Sequence, residues 1–453
     1  MSESRQEWLD ALARHLCHFE RPADGPWWCP EYDRMAPESL RQLHSEKLPL
    51  AVRYMYEQSP VYRHKLDEAG VDPASIRSVD DLERLPIVTK EDMSASDGGY
   101  LAVDEDYWDR HGWMMFNTSG TTGLPRIFRY TDTDRRMWMW TDARALWAMG
   151  IRPGDRALLC FGYGPHVAMW GMLYALNRMT VPVIPSGGMD SRARAAAVLN
   201  HRPTVIAATP SFALYLAGMV RELGADPRDT RVRIVISLGE PLPDATRRRI
   251  EEAWAAQVHQ FYGCTEAAPS CGGYTCAHGM HIMEDTHLIE AVDPATLQPV
   301  PDGLPGLSVI TNLCSEASPQ IRFLVGDFTT LIRGGCECGR THVRTTGFSG
   351  RADDMLNVRG VTVFPSAVED LLRRLPEVGD EFQIVLESST VGQEVFRLVV
   401  EPRPGVAATS LPERIAAEVR DRFDLRADVE LVAPGSLPKT EFKAKRVRDL
   451  RNR

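Results

Sequence analysis

Three short runs in the middle of this chain, Ala157-Leu-Leu-Cys-Phe161, Val205-Ile-Ala-Ala208 and Arg233-Ile-Val-Ile-Ser237, are apolar almost from end to end. A strand with water on one face alternates apolar and polar residues, so a run without alternation needs cover on both faces. The cover is present: the stretches 134–149, 191–199 and 244–257 carry a helical period. Strands alternating with helices build a largely parallel sheet flanked by helices, here predicted over about 113–330. In such sheets ligands bind outside the carboxyl ends of the strands. The aromatic and Met-rich stretch from Met137 to Trp147 has helical spacing and reads as core.

At 453 residues the chain is too long for one core. Residues 1–95 read as helical pieces bounded by prolines, with a turn at Gly70-Val-Asp-Pro73. Beyond 352 the pattern changes to helix 366–375, strands 382–386 and 395–400, helix 411–423 and a strand near 429–432. We therefore expect a large domain over 1–352 and a small α+β domain over 353–453. A net charge of −10 argues against a nucleic-acid partner. Neither a membrane-spanning run nor a signal-peptide layout is found, and nine cysteines without a leader suggest reduced thiols. A cytoplasmic enzyme is the default expectation.

The segment Thr118-Ser-Gly-Thr-Thr-Gly-Leu-Pro125 packs hydroxyls and glycines into one turn. Glycine lets successive backbone N–H groups face one point and Ser/Thr hydroxyls add donors, the chemistry of a phosphate-gripping loop. It is not the G-x-x-x-x-G-K-[ST] loop, because Arg126 follows Leu-Pro. Downstream lie Leu238-Gly-Glu-Pro241, Phe261-Tyr-Gly-Cys-Thr-Glu266, Ile321-Arg-Phe-Leu-Val-Gly-Asp327, Gly350-Arg-Ala-Asp-Asp354 and Leu437-Pro-Lys-Thr-Glu-Phe-Lys-Ala-Lys-Arg446.

These segments, in this order, resemble the adenylate-forming superfamily of acyl-CoA synthetases, adenylation domains and luciferases. The N-terminal stretches Leu50 to Tyr62 and Leu85-Pro-Ile-Val-Thr-Lys-Glu-Asp92 resemble its phenylacetate–CoA ligase branch. The resemblance implies a nucleotide site built from Thr118, Ser119, Gly120, Thr121, Thr122 and Gly123 for the departing phosphates. Gly239, Glu240 and Pro241 would border adenine, Tyr262 would stack on it with Gly263 beside it in the nucleotide site, Asp327 would hold the ribose, and Arg351 would lie near the nucleotide. Thr265 would bond the α-phosphate and Glu266 would hold Mg²⁺, a hard cation that takes oxygen ligands. Asp353 takes the place of the hinge about which the small domain swings. Lys443 takes the place of the catalytic lysine, although Phe442 stands where the family normally has glycine.

A second signal is metallic. Cys336-Glu-Cys338 forms a tight thiolate knuckle, and Cys276-Ala-His-Gly-Met-His281 lies earlier. Cys276, His281, Cys336 and Cys338 are expected to close a structural Zn²⁺ site, with Cys271, His278, His287 and His342 as replacements for one ligand. By the same resemblance the acid pocket falls on Tyr163, His166, Met169 and Trp170, and on Ala267 and Ala268. Flat apolar walls suit a small aromatic carboxylic acid better than a long acyl chain. No Asp stands in an obvious place for an α-amino group.

The expected activity is ATP-dependent formation of an acyl-adenylate, then transfer to the thiol of coenzyme A. Transfer to a carrier-protein thiol or to a nitrogen nucleophile is the alternative. Rivals from other classes are a nucleotide-binding regulator that has lost catalysis, with Phe442 as its foothold, and a zinc-stapled interaction module. A homodimer is allowed but required by nothing in the sequence.

Overall fold

The computed structural model describes residues 2–16, 25–96, 98–118, 126–164, 167–268, 273–276, 278–388, 394–406, 408–439 and 445–451. The chain divides into two compact units, each built from discontinuous pieces.

The first unit comprises Met1–Asp155, Gly162–Val183 and His259–Gly347. Its helices follow the prolines that the sequence offers. Helix Pro37–Gln58 starts on a proline, whose missing N–H would be unpaired there anyway, and buries Leu48, Val52, Tyr54 and Met55. Helix Asp132–Ala148 is started by a capping box between Thr131 and Asp134. Trp138, Trp140 and Trp147 on this helix are all buried, so the Met- and Trp-rich stretch is core as expected. Strands Gly112–Asn117 and Ile127–Thr131 form a separate antiparallel hairpin.

The strands of this unit that follow residue 257 pair antiparallel: His287–Val292 with Pro305–Asn312, and the latter with Phe323–Ile332. Strand Gln257–Tyr262 pairs with Gly273–Cys276, which pairs with Gly279–His281. The helix–strand alternation therefore stops near 257 rather than 330. Short connections permit hairpins, whereas a parallel pair needs a crossover of a dozen residues or more.

The second unit comprises Arg156–Phe161, Ile184–Val258 and Phe348–Arg453. Strands Ala157–Leu159, Val205–Ala208 and Ile234–Ser237 pair in parallel, every residue of them buried. Helices Ser191–His201, Pro210–Glu222 and Asp244–Trp254 supply Val198, Phe212, Leu216, Ile250 and Trp254 to one core with Leu158, Ile206 and Val235. The α/β pattern read from the three apolar runs is realised here. The C-terminal part of this unit has a four-stranded sheet in the order Ala427–Leu431, Glu394–Pro402, Val378–Ser388, Val447–Asp449. Helices Pro365–Arg374 and Leu411–Phe423 cover it around Leu371, Phe382, Leu398 and Ile415. Among the described residues no helix is long and apolar enough to cross a membrane.

Candidate active site

The hairpin of the first unit presents the phosphate-loop candidate at its tip. Asn117 pairs with Ile127, the Thr118 N–H donates to Arg126 O at 3.0 Å, and the Arg126 N–H donates to Thr118 Oγ1 at 3.2 Å. Both ends of the loop are thus fastened. Ser119, Gly120, Thr121, Thr122 and Gly123 lie outside the described residues. The Arg126 side chain turns to Glu266, with Nη2 2.9 Å from Oε1 in a largely buried ion pair. The Tyr130 hydroxyl, from the same hairpin, donates to Thr265 O at 2.6 Å. Burial, together with the carboxylates of Asp134 and Glu266, pushes that hydroxyl well above the ordinary tyrosine value, so it stays a donor. Arg126 and Tyr130 therefore tie the candidate residues Glu266 and Thr265 of the Tyr-Gly-Cys-Thr-Glu segment to this hairpin.

Tyr262 ends strand Gln257–Tyr262, and its hydroxyl donates to Asp327 Oδ2 at 2.6 Å. The adenine and ribose candidates are so brought together. Gly273 lies opposite Tyr262, where a Cβ would stand 2.8 Å from the Tyr262 Cβ; only glycine fits without a shift. After Glu266 the chain is held by its carbonyls. His287 Nε2 lies 3.0 Å from Ala267 O, and Asn312 Nδ2 donates to Ala267 O at 3.2 Å and to Ala268 O at 2.9 Å. His287, an alternative metal ligand by sequence, serves this segment instead. Sequence reasoning missed Tyr130 and Asn312, for each sits in an unremarkable strand pattern. The charge of Arg126 directly after the loop was the one available signal.

Among the residues expected to line the acid pocket, Tyr163 and Trp170 meet edge to face at 5.4 Å, and Trp170 Nε1 donates to Gly164 O at 3.2 Å. Met169 is buried. The Tyr163 hydroxyl is shielded from solvent yet has no hydrogen-bond partner among the described residues, and burial raises its pKa. His166 lies outside those residues. Five residues beyond it, Gly171 packs so closely that an added Cβ would collide with Trp138 Nε1 and Asp142 Oδ2.

In the second unit Gly239 has φ +82°, a conformation natural to glycine, at the end of strand Ile234–Ser237. Glu240 Oε2 accepts from Ser211 N at 3.2 Å and Ser211 Oγ at 2.8 Å, tying this turn and Pro241 to the start of helix Pro210–Glu222. Arg351 closes strand Arg344–Arg351, and Asp353 sits in the 3-10 turn Ala352–Asp354. Lys443 and Phe442 lie outside the described residues.

The four residues expected to form the metal site lie together. The donor atoms of Cys276, His281, Cys336 and Cys338 all lie within 4.8 Å of one another. Cys276 Sγ is 3.8 Å from Cys336 Sγ, and Cys338 Sγ is 3.2 Å from His281 Nε2. A tetrahedral ion with metal–sulfur bonds of about 2.3 Å requires sulfurs about 3.8 Å apart, so the cluster fits such an ion. His281 Nδ1 lies 3.1 Å from His342 O, which as its acceptor fixes the tautomer and leaves Nε2 facing the thiols. His278 reaches Glu337 and His342 reaches Tyr32 O, so neither is needed as a ligand; Cys271 lies outside the described residues.

Comparison with known proteins places the chain in a family. The AMP-binding enzyme family model matches residues 48–312, and the AMP-binding enzyme C-terminal domain model matches 360–451. The chain belongs to the AMP-binding enzyme family. Relatives include the phenylacetate–coenzyme A ligase of Thermus thermophilus, 37% identical over 93% of this chain and 99% of that protein. The enzyme of the same name from Escherichia coli is 32% identical over 92% of this chain and 96% of its own. A solved 2-hydroxyisobutyryl-CoA ligase is 31% identical and covers 95% of this chain and 94% of that one. Its postadenylation-state structure with an acyl-AMP matches with a TM-score of 0.88, and its thioesterification-state structure with 0.71. This chain is accordingly an AMP-forming acid–CoA ligase with the fold of that family.

Proposed function

We propose that the chain converts a small aromatic carboxylic acid and ATP into an acyl-adenylate and pyrophosphate, then passes the acyl group to the thiol of coenzyme A. The observation that carries this reading is Glu266, held by Arg126 at the root of the Ser/Thr/Gly loop. A carboxylate is already a nucleophile, so the site needs no general base; it must orient the acid and absorb phosphate charge. Glu266 would hold Mg²⁺, which supplies neutralisation of the polyphosphate. Tyr262 and Asp327 bind and orient the nucleoside. The loop 119–123 takes the departing phosphates. Lys443, on a small domain hinged at Asp353, supplies positive charge to the oxygens that develop charge in the first half-reaction, then withdraws. Tetrahedral Zn²⁺ on Cys276, His281, Cys336 and Cys338 would be structural, since four protein ligands leave no position for a water. Chelation should therefore lower thermal stability in parallel with zinc content.

A second reading concerns the acid. The buried Tyr163 hydroxyl, without a partner among the described residues, favours an acid that brings its own hydroxyl or other acceptor. Acid-dependent exchange of labelled pyrophosphate into ATP, run over arylacetates, benzoates, hydroxybenzoates and short hydroxy acids, tests both readings. No exchange across the panel removes the ligase assignment. Lys443→Ala should slow adenylate formation about 10²–10³-fold and leave thioester formation from supplied adenylate nearly unchanged. Equal losses in the two halves would remove Lys443 from its role. Consumption of the adenylate by coenzyme A, a carrier protein or an amine decides the acceptor.

A further inference from the structure

Within the second unit two helices cap each other. Helix Asp244–Trp254 starts three residues after the Gly239-Glu240-Pro241 turn, and its N-cap residue Pro243 offers no side-chain bond. Asp370, from helix Pro365–Arg374, supplies the missing acceptor: its Oδ1 takes the Ala245 N–H at 3.4 Å. In return Arg249 reaches the opposite pole. Its Nε donates to Arg373 O at 3.0 Å, its Nη2 to Leu375 O at 2.9 Å and its Nη1 to Gly379 O at 3.3 Å. An anion thus meets the positive end of one helix and a cation the negative end of the other, each arrangement favourable to the helix dipole.

The geometry points to Arg249 and Asp370 as positioning residues, a clasp that docks the small lobe carrying Lys443 onto the helix following the nucleotide turn and must open between the two half-reactions. This inference rests on the two-step reading above. Three features suit a clasp that opens. Arg249 is buried, yet its bonds go to neutral carbonyls, and the nearest carboxylate oxygen, Asp380 Oδ1, is 3.6 Å away on an exposed side chain. Burial first, then Arg373 and Arg403, push the guanidinium down to about 10, so the closed arrangement works against its charge. The acid arm is shared: Asp370 Oδ2 also accepts from Arg374 at 2.7 Å and Arg422 at 3.0 Å, partners on its own lobe that satisfy it once Ala245 is released. The clasp occurs in a chain that matches the postadenylation structure at 0.88 and the thioesterification structure at 0.71, which associates it with the first step.

The test separates the half-reactions. Arg249→Met should lower acid-dependent pyrophosphate exchange about tenfold or more, the loss expected for charge-assisted hydrogen bonds. Thioester formation from supplied acyl-adenylate should hold or rise, and Arg249→Lys should recover part of the exchange. Asp370→Ala, which leaves Arg249 in place, should act in the same direction with a smaller effect. Parallel loss of both half-reactions in both variants, as for simple misfolding, or no change in either, overturns the clasp. Amide exchange by mass spectrometry gives a readout independent of turnover. In unliganded Arg249→Met, protection should fall over 365–380 and stay unchanged over 25–96; unchanged protection at 365–380 also overturns it. Wild-type protein without pyrophosphate exchange would sink the ligase reading, while amide exchange would still decide the clasp.

Discussion

Each unit buries several arginines, and one from each, Arg144 and Arg249, are held in opposite ways. Arg144, in the first unit, grips two carboxylates: Nε and Nη2 reach Asp33 Oδ1 at 3.1 and 2.9 Å, and Nη1 reaches Asp285 Oδ2 at 2.8 Å. Its guanidinium also lies 4.5 Å from the Trp140 ring centroid. Burial works against the charge, but Asp285 and Asp33 overcome it and raise the Arg144 pKa above the usual arginine value. Arg249, in the second unit, is bonded to carbonyl oxygens and is pushed the other way. A buried cation with its own counter-charges is an anchor, whereas one held by dipoles can be exchanged for water at modest cost.

The largest expected effect tests the anchor. Arg144→Met leaves Asp33 and Asp285 buried without their cation, and should cost about 3–5 kcal/mol in chemical denaturation. A loss below about 1 kcal/mol would erase the contrast. Acid should expose the same network next. His44 reaches Glu284 O at 2.5 Å; burial, with the Lys47 charge nearby, lowers its pKa to about 4 despite that bond. A histidine neutral in the folded chain and protonated in the unfolded one contributes stability above the unfolded value, lost as pH falls from about 6.5 to about 4. The loss should be of order 3 kcal/mol, and His44→Gln should flatten it. The smallest effect belongs to Arg249→Met, about 1–3 kcal/mol, because no buried carboxylate is orphaned. If Arg249→Met destabilises as much as Arg144→Met, the junction is a fixed joint and cannot act as a clasp.

How much of this was legible in the sequence follows from where the partners lie. The three unbroken apolar runs announced their strands because nothing else keeps Val205 to Ala208 free of polar residues. The four residues of the Cys/His cluster were legible because thiols and imidazoles at short spacings are uncommon without a shared task. Helix Leu411–Phe423 was read with its exact span, since its apolar face is strongly periodic. Strands His287–Val292 and Pro305–Asn312 gave a weaker pattern, for nearly all their residues are buried and leave no alternation to find. Arg249 left no trace at all. Its acceptors are backbone carbonyls at 373, 375 and 379, and a carbonyl has no letter in the sequence. The same holds for Tyr130 and Asn312, which act on the carbonyls of Thr265, Ala267 and Ala268.

The contact at Gly171 fixes the position of the helix to which the proposed acid pocket assigns Met169 and Trp170. With no room for even a methyl group against Trp138 and Asp142, helix Ala168–Arg178 is wedged in place. In the proposed acid pocket, selectivity would then be altered by exchanging Met169 or Trp170 and not by shifting the helix that carries them, which has nowhere to retreat.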